Sequence, residues 1–284
     1  EAKLDFDKVI SDSKYSNNLN FYYEGLYNKS LLELLLGNYN EGWNLYENRF
    51  NIEEHQKFEQ FKQKEIFHKI IKKEIPYLNK IDNLKGSKIL VTCEQGVGEH
   101  VIFLPLISEA AEIAQSITLL IDSRLIPLCK RSFKDIVFLP LENKDVQHDE
   151  YKNKLSMLEK TNFDYQISVA SLPKFFRKNV QDFRKTPKKF LKVNDKLKND
   201  IKKELNIKPN KKIVGISWKS FKSSLRYFKN IELKELGLIF KNLEIELVNL
   251  QYGEVDDEIS DFVKKTNIII HKIKHDIKKD LDAL

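Results

Sequence analysis

Two short segments of this chain combine residue types and spacing that suit phosphate and sugar chemistry. The first is KILVTCEQGVGEH, residues 88–100, where an apolar run enters a turn punctuated by Gly96 and Gly98, with Glu99 and His100 directly after. Glycines permit a tight turn and the close approach of a ligand, and a helix that starts there aims free N–H groups at whatever binds. Glu99 is the candidate general base, its alternative role being a carboxylate that favours a helix N-terminus. His100 is a candidate proton relay, although an exposed first-turn histidine is the expectation. Gln95 stands at the carboxyl end of the strand, where open α/β sheets bind ligands, and its amide can donate to an acceptor or sugar. Glu94 is expected to anchor the loop by hydrogen bonds.

The second segment is GISWKSFKSSLRY, residues 215–227. A strand ending at Trp218 delivers Lys219, Ser220, Ser223, Ser224 and Arg226 into one loop, and hydroxyls with cations suit the oxygens of a diphosphate. Arg226 is the first choice for that contact and Lys219 the second; the alternative is a solvated basic loop beside a buried Trp218. Further on, LVNLQYGE places Gln251, Tyr252 and Gly253 at the end of the next strand. An amide beside an aromatic ring suits a base edge or a sugar, and Tyr252 can equally be a packing residue.

These segments need elements to hold them. Residues 1–75 lack β-like alternation and read as helices, with Tyr22, Leu26, Leu31, Leu34 and Leu35 on one face, a turn at Gly37-Asn38, and Trp43, Tyr46 and Phe50 on the next face. Fewer than three helical repeat units cannot bury a continuous core, so this piece must dock on the next domain or continue an array. Residues 52–86 read as a charged helical connector broken at Pro76, with His55 and His68 solvated. Strands then alternate with helices: 88–93, 117–121, 136–139 and 165–169, with helices over 99–114 and 125–131. After a linker over 183–210 with one solvated helix, a second series has strands at 212–218, 245–250 and 268–271, helices at 232–242 and 257–266, and a helix starting near Ile277. Strands separated by helices imply parallel sheets with right-handed crossovers.

Read in order, EQGVGEHVIFLPLI, IDSRLIPLCKRSF, DYQISVASLPKFF, GISWKSFKSSLRY and LVNLQYGE resemble segments of the bacterial tetratricopeptide-repeat proteins that carry a GT-B glycosyltransferase domain. These are distant relatives of the heptosyltransferases and of the O-linked N-acetylglucosamine transferase. The resemblance spans roughly residues 20–284 and implies an α/β fold with an N-terminal all-α segment: a tetratricopeptide-like part (1–75), one Rossmann-like lobe (76–185) and an incomplete donor-binding lobe (186–284). It also implies sugar transfer from a nucleotide sugar to a protein or cell-envelope acceptor, with substrates meeting in a cleft, positive side chains in place of a metal, and no cofactor. The family's turn reads E-Q-G-x-G-D, its aspartate taking the catalytic position of related heptosyltransferases. Here Glu99 stands instead, one methylene longer, which motivates an alternative reading as a non-catalytic interaction protein with degenerate lobes. A nucleotide-binding oxidoreductase ranks third, because the full G-x-G-x-x-G spacing is missing.

Composition sets outer limits. At 284 residues the chain has room for about two domains. Its net charge of +7 comes almost wholly from scattered lysines, so no nucleic-acid partner is expected, and no apolar run approaches the ~20 residues that cross a bilayer, so no membrane span is expected either. The N-terminus, EAKLDFDKVI, lacks the basic-then-apolar pattern of a secretory signal, and a cytoplasmic location with buried, reduced Cys93 and Cys129 is the expectation. The missing initiator Met points to a true N-terminus upstream. Arginines are few, and Arg49, Arg124, Arg131 and Arg226 fall within the stretch that resembles the family, where a planar fork suits a carboxylate or phosphate. Arg49 is expected only to pair with a neighbouring helix.

Overall fold

The computed structural model describes residues 1–53, 75–141, 153, 156–207, 211–220, 230–241 and 243–283. They group into two compact units, Glu1–Lys192 and Val193–Leu284.

The first unit opens with α1 (Ala2–Tyr15), α2 (Leu19–Leu35) and α3 (Tyr39–Tyr46), followed by a 3-10 turn over Glu47–Asn51. Asn18 starts α2 by accepting the Phe21 N–H. Gly37, at φ 84°, reverses the chain before α3. Consecutive helices pack on one another, and Gly42 permits this for α3, since a Cβ there would stand 2.7 Å from the Leu34 side chain. The helical segment docks on the α/β part of the same unit: Trp43 meets Phe103 edge-on at 6.5 Å between centroids, and Glu47 pairs with Lys174 at 2.7 Å.

Four parallel strands come next: β1 (Lys88–Thr92), β2 (Ser116–Ile121), β3 (Ile136–Pro140) and β4 (Tyr165–Ser168), in the order β3-β2-β1-β4. The crossovers from β1 and β2 carry α4 (Val97–Ala111) and α5 (Ile126–Ser132). Central parallel strands are covered on both faces, which explains the apolar stretches Ile89–Val91 and Leu119–Ile121. Ile89, Leu90, Val91, Leu119, Leu120 and Ile121 are each at most 1% exposed, and a fully buried side chain of this kind contributes roughly 1.5–3 kcal/mol. Cys93 and Cys129 are buried free thiols, and burial pushes the Cys129 pKa up to about 12.

The second unit contains α6 (Asp195–Leu205) and a parallel sheet of β5 (Lys212–Ile216), β6 (Ile245–Asn249) and β7 (Ile270–Lys272) in that order. Alternating with these strands are α7 (Leu233–Phe240) and α8 (Asp256–Thr266), and the core gathers Ile216, Trp218, Leu247, Ile259, Phe262 and Ile270. Ile213, Leu238, Ile239 and Ile269 are exposed.

Where the chain departs from expectation, a side chain has captured a backbone group. No helix starts near Ile277: the Asp276 carboxylate accepts the N–H groups of Lys278 and Lys279, holding a turn that is followed by a 3-10 turn over Leu281–Ala283. β5 stops at Ile216 because the Gln251 side chain takes the Trp218 N–H. β7 starts late because Asn267 is left-handed and Thr266 Oγ1 accepts the Ile268 N–H. Most of the expected connector, with His55 and His68, lies outside the described residues. Among the described residues no helix is long and apolar enough to cross a membrane.

Candidate functional site

In the first unit the candidate residues gather where β1 ends. The Cys93 N–H still bonds to the Leu120 carbonyl (2.9 Å), after which Gln95 adopts φ 65° and Gly96 becomes the N-cap of α4. Glu99 is the third residue of that helix, and its carboxylate folds back over the turn. An oxygen of Glu99 lies 2.9 Å from where a Cβ on Gly96 would stand, so glycine leaves the space the carboxylate fills. Gly98 faces open space. A first-turn carboxylate beside the glycine turn suits both a base at the strand edge and a simple helix-terminus charge.

His100 departs from expectation. It is 2% exposed, and neither ring nitrogen has a hydrogen-bond partner among the described residues. Its spacing to Leu104 and Ile107, both buried, puts it on the inner stripe of α4, a pattern readable from the sequence. Burial lowers the imidazole pKa, with Asp122 and Glu99 pulling the other way. Asp122, at the end of β2, is held by Arg124 through its backbone N–H (3.0 Å), Nε (2.9 Å) and Nη2 (2.7 Å). Burial alone would raise the Asp122 pKa, and Arg124 outweighs it to leave the carboxyl below its usual range. Arg131 instead donates to the Lys192 carbonyl at 2.7 Å.

Arg49 does more than pair with a neighbouring helix. Fully buried, it donates through Nε (3.2 Å) and Nη2 (2.6 Å) to the two oxygens of Glu94, which is 3% exposed at the end of β1. Its remaining donors reach the Tyr46 carbonyl (3.1 Å), Glu47 (2.9 Å) and Ser171 Oγ (2.8 Å). Burial opposes the charge on Arg49, and Glu94 more than offsets it, so the guanidinium pKa rises. Burial likewise works against Glu47, but Arg49 and Lys174 hold its carboxyl below the usual range. Ser168 Oγ, from the end of β4, also donates to Glu94, and Tyr77 donates to Ser171 at 2.9 Å. Gln95 donates to the Tyr46 hydroxyl at 2.9 Å, and burial pushes that hydroxyl pKa up to about 12. Sequence reasoning missed Tyr46, Tyr77, Ser168, Ser171 and Lys174 as members of this network. The scarcity of arginine was the one signal toward it.

In the second unit the organiser is Gln251, 3% exposed. Its side-chain oxygen accepts from the N–H groups of Trp218 and Lys219, both at 2.9 Å, and from Ser217 Oγ at 3.1 Å. Its nitrogen donates to the Tyr252 carbonyl at 3.1 Å. Lys219 Nζ bonds to Glu258 in the first turn of α8, a carboxylate that also accepts from Trp218 Nε1 at 2.8 Å. The Ser220 N–H donates to Asn230 Oδ1 at 2.7 Å. Ser223, Ser224 and Arg226 lie outside the described residues. Beyond the ends of β6 and β7 opens a cavity of about 320 Å³, lined among others by Gln251, Tyr252, Gly253, Ile273, His275 and Lys278. The last three come from a segment read from sequence only as the approach to a helix and its first turn. Among the described residues no cluster of His, Cys, Asp and Glu could hold a metal ion.

No family model matches the chain. Its sequence is similar to the protein FlbA of Caulobacter vibrioides, at 26% identity over an alignment of 265 residues that covers 89% of this chain and 41% of FlbA. The chain thus spans less than half the length of that relative. Its structure is similar to the crystal structure of the glycosyl transferase family 9 from Veillonella parvula, with a TM-score of 0.49 and 13% identity over 73% of this chain and 74% of that one.

Proposed function

We propose that the chain is part of a GT-B glycosyltransferase that moves a sugar from a nucleotide-sugar donor to a protein or cell-envelope acceptor without a metal. One observation carries this reading: each of the five segments that resemble the family covers or directly follows the carboxyl end of a parallel strand, namely β1, β2, β4, β5 and β6. In open α/β sheets that is where ligands bind. The expected division into a tetratricopeptide-like part (1–75), a first lobe (76–185) and the start of a donor lobe (186–284) belongs to the same proposal, as does recruitment of the acceptor by the helical segment.

In this reading Glu99 takes the acceptor proton and the first-turn N–H groups of α4 face the reacting groups. Lys219 and Ser220, with Ser223, Ser224 and Arg226 beyond the described residues, hold the diphosphate. Tyr252 and His275 line the cavity that receives the nucleoside. Lys219 must exchange Glu258 for a phosphate oxygen when donor binds. Glu99→Gln is expected to lower turnover by ~10²- to 10⁴-fold while donor binding persists, as for loss of a general base. Transfer or slow hydrolysis measured on a panel of nucleotide sugars checks this, and unchanged turnover with a proven acceptor removes Glu99 from the mechanism.

A second reading, a non-catalytic interaction protein, is favoured by the Glu99 carboxylate folding over its own helix start and by Glu258 occupying Lys219. It predicts neither transfer nor hydrolysis, and no thermal stabilisation by any nucleoside diphosphate.

A further inference from the structure

The last turn of the helical segment reaches the end of β1 with two side chains, and each holds a residue directly before the glycine turn. Arg49 grips Glu94 with a two-pronged ion pair, and the Tyr46 hydroxyl accepts from the Gln95 amide. Gln95 needs such help. A non-glycine residue at φ 65° sits in a sparsely populated region and persists only where its surroundings over-determine it.

Arg49 is itself rigid. The rings of Tyr46 and Phe50 lie 4.5 and 4.0 Å from its guanidinium carbon, and Ser171 and the Tyr46 carbonyl take further donors. Glu94 is tied also to Ser168, so the helical segment, β1 and β4 meet at one carboxylate. The turn's own backbone offers less: the His100 N–H to Gly96 carbonyl bond, at 3.2 Å, begins the helix without fixing Gln95.

We infer that Tyr46 and Arg49 are positioning residues, through which the helical segment presets the backbone of residues 95–99 and thereby the place of the Glu99 carboxylate. The segment is then a working part of the strand edge, and a displacement of its last turn loosens the turn over α4. The catalytic half of this inference rests on the glycosyl-transfer reading; the positional half does not.

Two variants of the full chain test it. Tyr46→Phe removes the oxygen that accepts from Gln95 and keeps the ring against Arg49. Arg49→Met combined with Glu94→Leu removes the ion pair without stranding a buried charge. Hydrogen exchange of the amides of residues 95–99 is compared with that of β1, alongside thermal unfolding. In both variants exchange at 95–99 is expected to rise about tenfold, the scale of one lost hydrogen bond, with β1 unchanged. With donor and acceptor supplied, kcat falls while KM for the donor holds. Unchanged exchange at 95–99, or an equal rise across β1, overturns the inference, since a merely structural role loosens the whole sheet. Absence of transfer from the unsubstituted chain counts against the glycosyl-transfer reading alone, and exchange still decides the positional claim.

Discussion

At the carboxyl edge of the first sheet the buried organiser is an ion pair, Arg49 with Glu94, closed over by the helical segment; at the edge of the second it is a neutral amide, Gln251, beside an open cavity of about 320 Å³. The difference lies in what each arrangement tolerates. A buried charge must keep its partner, because desolvation is repaid only by a close, well-formed pair, so the first edge is held in one geometry. A buried amide joins loop ends at lower electrostatic cost and stands beside side chains that line the cavity. Tyr252, 41% exposed, is such a neighbour. The first edge holds its turn in one geometry, and the second leaves a cavity open beside its organiser.

The sharpest way to break this contrast is to remove one partner of the ion pair. Arg49→Met should destabilise the first unit by about 3–5 kcal/mol in urea denaturation, because Glu94 is left buried and unpaired, whereas Arg49→Met with Glu94→Leu should recover most of that loss. Equal losses would show that packing, not charge, organises the edge. Gln251→Ala should cost less, about 1–3 kcal/mol, the range for leaving buried backbone N–H groups unsatisfied. Its effect should be confined to the second unit, and a loss as large as that from Arg49→Met would erase the contrast.

Tyr252→Ala sharpens the picture of the open edge. Stability should barely change, while binding of a nucleoside diphosphate, followed by calorimetry, should weaken by about 1–3 kcal/mol if a base stacks on the ring. Unchanged affinity would place the nucleoside elsewhere.

The smallest effect concerns His100. Its folded-state pKa lies below the ordinary 6.5, so below that pH the unfolded chain takes up a proton that the folded chain resists. Its contribution to stability is therefore intact above pH 6.5 and is lost as pH falls from 6.5 through the lowered folded value. The depressed carboxyls of Glu47 and Asp122 act in the same direction at more acid pH. His100→Leu should flatten the fall in unfolding temperature just below pH 6.5. An unchanged slope would mean that another group titrates there.

Local rules made much of the framework legible. A short apolar run marked β1, because central parallel strands are covered on both faces, and the glycine turn placed the start of α4 to within a few residues. Boundaries slipped where a single side chain reached into the backbone, as Asp276 did to a helix and Gln251 to β5. His100 was misread because its first-turn position suggested exposure, although the spacing to Leu104 and Ile107 already put it on the buried stripe.

By itself the sequence determined the periodicities, the turn and the carboxylate beside it, since these depend on residues a few positions apart. Only the tertiary structure decided that Arg49 serves Glu94, 45 residues away, and Ser171, 122 residues away. The same holds for Lys219, whose partner Glu258 is 39 residues further along the chain. A guanidinium or ammonium carries no local preference among distant carboxylates. Which one it meets is set by how helices and strands pack, and burial then makes the chosen pair costly to undo.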